Sequence, residues 1–267
     1  MKRITIEKID CKIRTYIKNI CFGLRSPADQ TVPVFIMGYG RSGSTMLLNV
    51  FERDLRAQTF GEDHPSVAKN FMLDYNRLSK TVNKSKASVM VLKPILNSFE
   101  ISKLLAEYPN GYFLWLIRDY KDVVASALKK FGPVVADYMK DFIERGTGDN
   151  WISQTMPSNI RDIILSHIKN QTLETQDWMA LVWWATNYMV MDKKLAKHNN
   201  VIIIRYRELV NDPGKILNEV YKRLHLPYNK KLVNHIHQKS IGKGKNIHFN
   251  HSVNLLCSDL EKDIYTS

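Results

Sequence analysis

The amino-acid sequence predicts an α/β fold in which helices flank a parallel β-sheet within a single domain. Short apolar runs typical of buried strands alternate with segments of helical spacing, and this alternation indicates a parallel sheet with helices on both faces. A glycine-rich loop joins the first predicted strand to the next helix. The 267 residues can bury a sizeable core, and no linker rich in Pro, Gly or Ser divides them.

The predicted strands and helices follow one another in the order that such a fold requires. Strands are predicted over 32–37, 58–60, 88–93, 111–117 and 200–205. Helices are predicted after the glycine-rich loop, over 99–108, after Asp119 or Asp122, over 174–198 and over 213–224, followed by a basic tail. The tryptophans of the 174–198 segment recur at helical spacing, so we expect them in the core.

The glycine-rich loop, residues 38–45, has the spacing of a phosphate cradle. Glycines permit sharp turns, and successive N–H groups at the start of the next helix point at an anion. The spacing matches the P-loop G-x-x-x-x-G-K-[ST], except that Ser44 replaces the lysine that reaches the β/γ-phosphates of a nucleoside triphosphate. Arg41 supplies a cation within the loop. The sequence therefore predicts a P-loop-NTPase-like sheet whose glycine-rich loop binds a phosphate but lacks the lysine that recognises a nucleoside triphosphate.

A second anion site is predicted where the 111–117 strand ends. Arg118 follows this strand directly, and Ser126 lies about two helical turns further along the chain. Ligands of open parallel sheets bind outside the carboxyl ends of the strands. We therefore expect Arg118 and Ser126 to lie at the same edge of the sheet as the glycine-rich loop.

Three motifs together resemble the family of sulfotransferases that use 3′-phosphoadenosine 5′-phosphosulfate (PAPS), nearer the bacterial and carbohydrate type than the cytosolic steroid and phenol type. Residues 41–45 resemble the 5′-phosphosulfate loop, Arg118 with Ser126 resembles the 3′-phosphate motif, and 200–213 is similar to the late strand and turn. The resemblance implies transfer of a sulfuryl group from PAPS to an acceptor hydroxyl, with an amine as the alternative acceptor group. The product adenosine 3′,5′-bisphosphate (PAP) is released, and no metal is needed.

The resemblance also implies the residues that bind the donor. They are Arg41, Ser42, Gly43, Ser44, Thr45, Met46, Arg118, Ser126, Tyr206, Lys243, Gly244 and Lys245. The first six would bind the 5′-phosphosulfate, and Arg118 and Ser126 the 3′-phosphate. Tyr206 matches a tyrosine near the adenine, although a core role remains open. Residues 243–245 resemble a basic loop that closes on the 3′-phosphate, with a flexible charged tail as the alternative.

The catalytic base departs from the cytosolic pattern. Those enzymes carry a histidine two residues after a strand-end lysine; here Lys93 matches the lysine and Ile95 takes the histidine position. Carbohydrate-type and bacterial relatives often use a glutamate after the second strand, so Glu62 is the first candidate. His64 is the second, because the unperturbed pKa of histidine suits proton abstraction at neutral pH. We expect Lys93 to contact the transferring group and Arg41 to stabilise the leaving phosphate.

Composition limits the partners and the compartment. A net charge of +13 suits a multiply anionic substrate, although nucleic acid or an anionic membrane would attract it as well. We predict no nucleic-acid partner, because the phosphate motifs would have no purpose in such a module. Cys11, Cys21 and Cys257 lack metal-ligand spacing and indicate reduced thiols in a cytoplasmic protein. No apolar run is long enough to span a bilayer.

Two segments are assigned separately from the catalytic motifs. Residues 1–25 are predicted to form a basic amphipathic helix before the domain at 26–267, with Ile6, Ile9, Ile13, Ile17, Ile20 and Leu24 at helical spacing. We expect this stripe to pack on the domain, and contact with a membrane surface is the alternative. Residues 131–172 are predicted to be an irregular lid or acceptor-binding segment, or else a connection carrying two helices.

The leading functional prediction is a sulfotransferase that acts on a small natural product. A sugar or a lipid is the alternative acceptor. A P-loop kinase or NTPase is the alternative enzyme, and Ser44 in the lysine position argues against it. A basic membrane- or nucleic-acid-binding module is the alternative outside enzymes.

Overall fold

A computed structural model describes residues 13–14, 16–18, 20–24, 30–237 and 241–266. The strands of this part of the chain are β1 (Val32–Gly38), β2 (Ala57–Phe60), β3 (Ala68–Lys69), β4 (Met72–Leu73), β5 (Val89–Leu92), β6 (Tyr112–Ile117) and β7 (Val201–Arg205). Five of them pair in parallel in the spatial order β2-β5-β1-β6-β7, and β3 and β4 form a separate antiparallel hairpin. The parallel sheet predicted from the sequence is confirmed.

The chain changes direction across the sheet at β1. From β1 it runs to β2 and β5 on one side, and it then crosses to β6 and β7 on the other side. Such a reversal opens a crevice at the carboxyl ends of the strands, where this fold class binds its ligands. Gly38, the last residue of β1, lies opposite Leu116 of β6. The glycine-rich loop therefore begins at this crevice.

Helices cover both faces of the sheet. They are α1 (Ser44–Glu52), α2 (Tyr75–Lys84), α3 (Ile101–Glu107), α4 (Tyr120–Phe131), α5 (Val134–Arg145), α6 (Trp151–Thr155), α7 (Ser158–Ile168), α8 (Thr175–Asp192), α9 (Tyr206–Asn211), α10 (Pro213–Arg223) and α11 (His251–Thr266). Because side chains alternate along a strand, β1 contributes to two cores. Val34 and Ile36 pack with α1 and α10, whereas Phe35 and Met37 belong to the core around α8.

Helix α8 lies at the centre of the second core and is buried along most of its length. Trp178 and Trp183 are core residues, which confirms the prediction made for this tryptophan cluster. The helix ends at Asp192 rather than near residue 198, because Lys194 adopts a left-handed conformation with a φ of 49°. The indole of Trp183 donates a hydrogen bond from Nε1 to the Arg118 carbonyl oxygen at 2.9 Å. The core helix thus fixes the strand end that carries Arg118.

The segment 131–172 is largely helical, so the prediction of an irregular segment is corrected. It contains α5, α6 and α7. Gly132 and Gly146, with φ values of 62° and 74°, end α4 and α5 rather than belonging to a long loop. Gly132 and Gly146 are therefore helix-terminating residues.

The region after residue 224 does not remain a basic tail, because it ends in α11. Val253, Cys257, Leu260 and Ile264 of this helix are buried against the core around α8. Their spacing of i, i+4, i+7 and i+11 is that of one helical face, so the sequence contained this signal.

The N-terminal segment is helical at its described positions 13–14, 16–18 and 20–23. The expectation that its apolar stripe packs on the domain is wrong for Ile13, Ile17, Ile20 and Leu24, which are exposed. Ile6 and Ile9 lie outside the described residues. The proposed boundary between residues 25 and 26 stays a prediction.

Candidate functional site

The start of α1 is open to an anion. Gly43 occupies the N-cap position, and no side chain caps the helix. The N–H groups of Ser44, Thr45 and Met46 lie in the first turn, where an α-helix offers no acceptor of its own. These N–H groups point out of the helix toward the glycine-rich loop, and the positive end of the helix dipole lies at the same terminus. This arrangement has the geometry that the sequence predicts for a phosphate cradle.

Close backbone approaches make two loop positions specific for glycine. Gly43 has a φ of +101°, and a Cβ at this position would lie 2.7 Å from the Tyr206 ring. Gly38 has a φ of +112°, and its Cβ would lie 2.4 Å from the Leu116 carbonyl oxygen. Ser98, which the sequence analysis did not single out, accepts a hydrogen bond from Gly38 N at 3.1 Å and donates one to Gly38 O at 2.9 Å. The glycine-rich loop is therefore fixed by close packing at Gly38 and Gly43 and by the two hydrogen bonds between Ser98 and Gly38.

The interior of the loop fits a phosphate ligand. The Ser42 hydroxyl is buried and has no hydrogen-bond partner within the described residues. A buried hydroxyl normally has a partner, and an unsatisfied one costs about 1–3 kcal/mol. A phosphate oxygen held by the first-turn amides of α1 would supply that partner.

Arg118 connects this loop to the end of β6. Its Nη1 donates to the Arg41 carbonyl oxygen at 3.1 Å, and its guanidinium lies 4.5 Å from the centroid of the Tyr206 ring. Arg41 in turn donates from Nε to Ser126 Oγ at 3.0 Å. Arg41, Arg118, Ser126 and Tyr206, which lie far apart in the sequence, therefore form one group in the fold.

Asp122 joins the same group to the C-terminal basic loop, a role that the sequence analysis missed. Its carboxylate lies 3.5 Å from Arg118 Nη2 and accepts hydrogen bonds from the N–H groups of Gly242 and Gly244, each at 2.9 Å. A Cβ on Gly244 would lie 2.1 Å from the Lys121 backbone. Residues 243–245 therefore dock beside Arg118 through Gly244, while the lysines on either side of it are exposed.

Arg118 also lines a cavity of about 350 Å³. Tyr206, Arg207 and Glu261 also line it. Burial, and secondarily the nearby Asp119 carboxylate, raises the pKa of Glu261 to about 7, although Arg207 acts in the opposite direction. Glu261 belongs to α11, in the region where the sequence predicted a basic tail. Its place beside Arg118 was therefore not predicted.

A second cavity, of about 320 Å³, opens above the glycine-rich loop. On its floor, Lys93 Nζ lies 2.7 Å from Glu62 Oε1 and donates to Thr45 Oγ1 at 3.0 Å. The side chains of Lys93 and Glu62 are 13 % and 28 % exposed. The predicted base, the predicted strand-end lysine and the phosphate loop are thereby linked in one continuous chain of contacts.

His64, the second candidate base, does not line this cavity. Its Nδ1 accepts a hydrogen bond from Ser66 N at 3.3 Å, and its ring packs edge-on against Phe60 with 4.7 Å between centroids. It borders a different cavity beside α2 and the N-terminal helix. Glu62 and His64 therefore lie on different sides of the turn that follows β2.

The remaining walls of the 320 Å³ cavity are mainly apolar. They are formed by Tyr39, Phe71, Ile95, Leu96, Phe131, Val135 and Trp151. Burial raises the pKa of Tyr39, whose hydroxyl lies 3.0 Å from Met179 Sδ, so this phenol stays protonated and is no candidate base. Phe131, Val135 and Trp151 come from the segment 131–172, which was predicted to recognise the acceptor.

None of the described helices has the length and apolar character needed to cross a membrane. No group of His, Cys, Asp and Glu side chains in the described ranges is arranged to hold a metal ion. Cys21 and Cys257 are free thiols there, and Cys11 lies outside those ranges.

Comparison with known proteins identifies a family. A family model described as a sulfotransferase domain matches residues 32–256. No curated protein matches the chain at a significant level.

The fold also recurs in solved structures. A sulfotransferase of Mycobacterium avium is similar with a TM-score of 0.51 and 12 % identity, over 90 % of this chain and 78 % of that one. A sulfotransferase domain of the curacin biosynthetic pathway gives 0.49 and 15 %, over 88 % and 99 % of the two chains. A mouse sulfotransferase complexed with PAP gives 0.47 and 13 %, over 94 % and 90 %.

Removing the Arg118 guanidinium should weaken binding of adenosine 3′,5′-bisphosphate about 10- to 100-fold, because a charge-assisted hydrogen bond contributes about 1.5–3 kcal/mol. The measurement is calorimetric titration of Arg118→Ala, with Ser126→Ala as a second variant that leaves the buried charge in place. Arg145→Ala, on an exposed arginine of α5, is the control. Unchanged affinity in both site variants would contradict the 3′-phosphate assignment.

Proposed function

The chain belongs to the sulfotransferase family and uses PAPS as its donor, and we propose that it sulfates the hydroxyl group of a small acceptor whose body is apolar. The contacts that join Glu62, Lys93 and Thr45 on the cavity floor carry this proposal. They lie between the phosphate loop and an apolar wall, which is where donor and acceptor would meet. The family match overturns the alternative of a P-loop kinase or NTPase.

The donor-binding roles follow from the charge and direction of the chain's own groups. PAPS supplies a sulfuryl group whose leaving atom is an oxygen of its 5′-phosphate. The first-turn amides of α1 and the Ser42 hydroxyl would bind this phosphate, and Arg41 would stabilise the negative charge that develops on it. Arg118 and Ser126 would bind the 3′-phosphate, and the aromatic ring of Tyr206 would hold the Arg118 guanidinium in position.

Glu62 is the proposed general base. Its Oε1 pairs with Lys93, and Oε2 would accept the acceptor's hydroxyl proton as the new O–S bond forms and the bond from sulfur to the phosphate oxygen breaks. Lys93 holds the carboxylate in place and, through its hydrogen bond to Thr45 Oγ1, would lie near the transferring group. His64 would reach the acceptor only if the turn after β2 were rearranged.

The proposed acceptor class follows from the cavity wall. A sugar would bury several hydroxyl groups against Phe131, Val135 and Trp151, and each hydroxyl without a partner carries a penalty of about 1–3 kcal/mol. An acceptor with an alkyl or aromatic body gains from the same surface, because burial of apolar area is favourable. One hydroxyl needs to reach Glu62, and the remainder of the molecule needs to be apolar.

Substitution of Glu62 by Gln should lower kcat by at least about 100-fold, because the amide cannot take the proton, while the affinity for PAP stays nearly unchanged. Steady-state kinetics with any accepted alcohol measures this effect. Asp63→Asn removes the neighbouring exposed carboxylate and serves as the matched control. A loss of activity in His64→Asn with full activity in Glu62→Gln would transfer the base role to His64.

A series of straight-chain primary alcohols should show kcat/KM rising about fourfold per added methylene until the cavity is filled, since each buried methylene contributes about 0.8 kcal/mol. Val135→Asn places a polar group on the wall and should flatten this dependence. Val134→Asn changes an exposed neighbour that does not line the cavity, and the dependence should survive there. Faster sulfation of simple sugars than of these alcohols would show that the acceptor class is wrong, without affecting the assignment of the donor site.

A further inference from the structure

The N-terminal helix presents its apolar side to solvent. Ile13, Tyr16, Ile17, Ile20 and Leu24 are 54 %, 69 %, 38 %, 49 % and 82 % exposed. Their spacing places all five on one face of a helix, and we call this face the N-terminal stripe. In the sequence the same spacing continues upstream to Ile6 and Ile9. Single exposed apolar residues are ordinary, but a contiguous row of them marks an interaction surface.

The polar side of the same helix faces the domain. Lys18 is 8 % exposed, and its ammonium donates to the carbonyl oxygens of Ala57 at 2.9 Å and Phe51 at 3.4 Å. Arg14 and Phe22 line a cavity of about 390 Å³ against β2. Because the buried lysine holds the helix on the edge strand of the sheet, the stripe cannot turn inward without breaking these two hydrogen bonds.

We propose that the N-terminal stripe lies on an anionic lipid bilayer. The first 25 residues carry seven basic and two acidic side chains, so the segment of sequence that contains the stripe is strongly basic. An apolar row flanked by basic residues inserts into the boundary between headgroups and acyl chains, and anionic lipids add electrostatic attraction. A second copy of this chain would bring the same positive charge to the contact. The observed charge therefore favours lipid over self-association.

Helix α2 lies beside the N-terminal helix. Thr81 of α2 borders the same 390 Å³ cavity as Arg14. Lys80 and Lys84 of α2 are exposed, which adds two cations on the neighbouring element. The cavity with Glu62 and Lys93 opens elsewhere, so lipid contact at the stripe does not depend on the proposed reaction.

Vesicle flotation tests this proposal with the full-length protein. We expect the protein to float with vesicles of equal parts phosphatidylglycerol and phosphatidylcholine, to bind pure phosphatidylcholine at least about tenfold less, and to be released by about 0.5 M salt. Ile17→Asp/Ile20→Asp should lower binding to the anionic vesicles at least about tenfold. Leu55→Asp/Leu255→Asp introduces the same charges at two other exposed leucines and should bind as the unmodified chain does.

Other results would overturn the proposal. They are absence of flotation, equal binding to neutral vesicles, and equal binding by the stripe variant and its control. Light scattering that shows a dimer which Ile17→Asp/Ile20→Asp converts to a monomer would assign the stripe to a second copy instead. Thermal unfolding with and without adenosine 3′,5′-bisphosphate verifies that each variant is folded, independently of lipid binding.

Discussion

The buried ion pair between Arg118 and Asp122 is the interaction on which the rest of the site depends. Arg118 reaches the Arg41 carbonyl of the glycine-rich loop and stacks on Tyr206, the residue that follows β7. Asp122 accepts the two N–H groups of the loop around Gly244. Removing one partner of such a pair typically costs about 3–5 kcal/mol, because the other charge remains buried. Three segments distant in sequence are therefore positioned by one charge pair.

The same geometry separates the proposed donor side of the site from the proposed acceptor side. Backbone amides, Arg41 and Arg118 concentrate positive charge at the switch point between β1 and β6, which is where the proposal places the bisphosphate nucleotide. The apolar wall of Phe131, Val135 and Trp151 lines the cavity above the glycine-rich loop. Lys93 stands between the two sides, because it contacts both Glu62 and the loop residue Thr45.

The sequence predicted those structural features that depend on the local pattern of residues. The five parallel strands, the phosphate loop and the core tryptophans of α8 were identifiable from apolar runs and spacing. The sequence predicted only that Ser126 and the glycine-rich loop lie at the same edge of the sheet. It did not predict the contact between Arg41 and Ser126, because strand order decides which strand ends become neighbours. The role of Asp122 was not predictable, since the loop that it holds lies 120 residues away and its own position suits an N-cap equally well.

The other differences between the predictions and the structure also have physical causes. Helix α11 carried a clear periodic signal that the many lysines and polar residues before it obscured. Glu62 and His64 are two residues apart in one turn, and only the path of that turn places the former in the cavity above the loop and the latter outside it. The orientation of the N-terminal helix depends on the buried ammonium of Lys18, which the amphipathic pattern alone did not reveal.

The most direct test of the central claim compares adenosine 3′,5′-bisphosphate with adenosine 5′-phosphate by calorimetric titration of the unmodified protein. If Arg118 and Ser126 hold the 3′-phosphate, the bisphosphate should bind about 100-fold more tightly, because the monophosphate leaves these groups without their ligand. Equal affinities for the two nucleotides would contradict the account of the donor site.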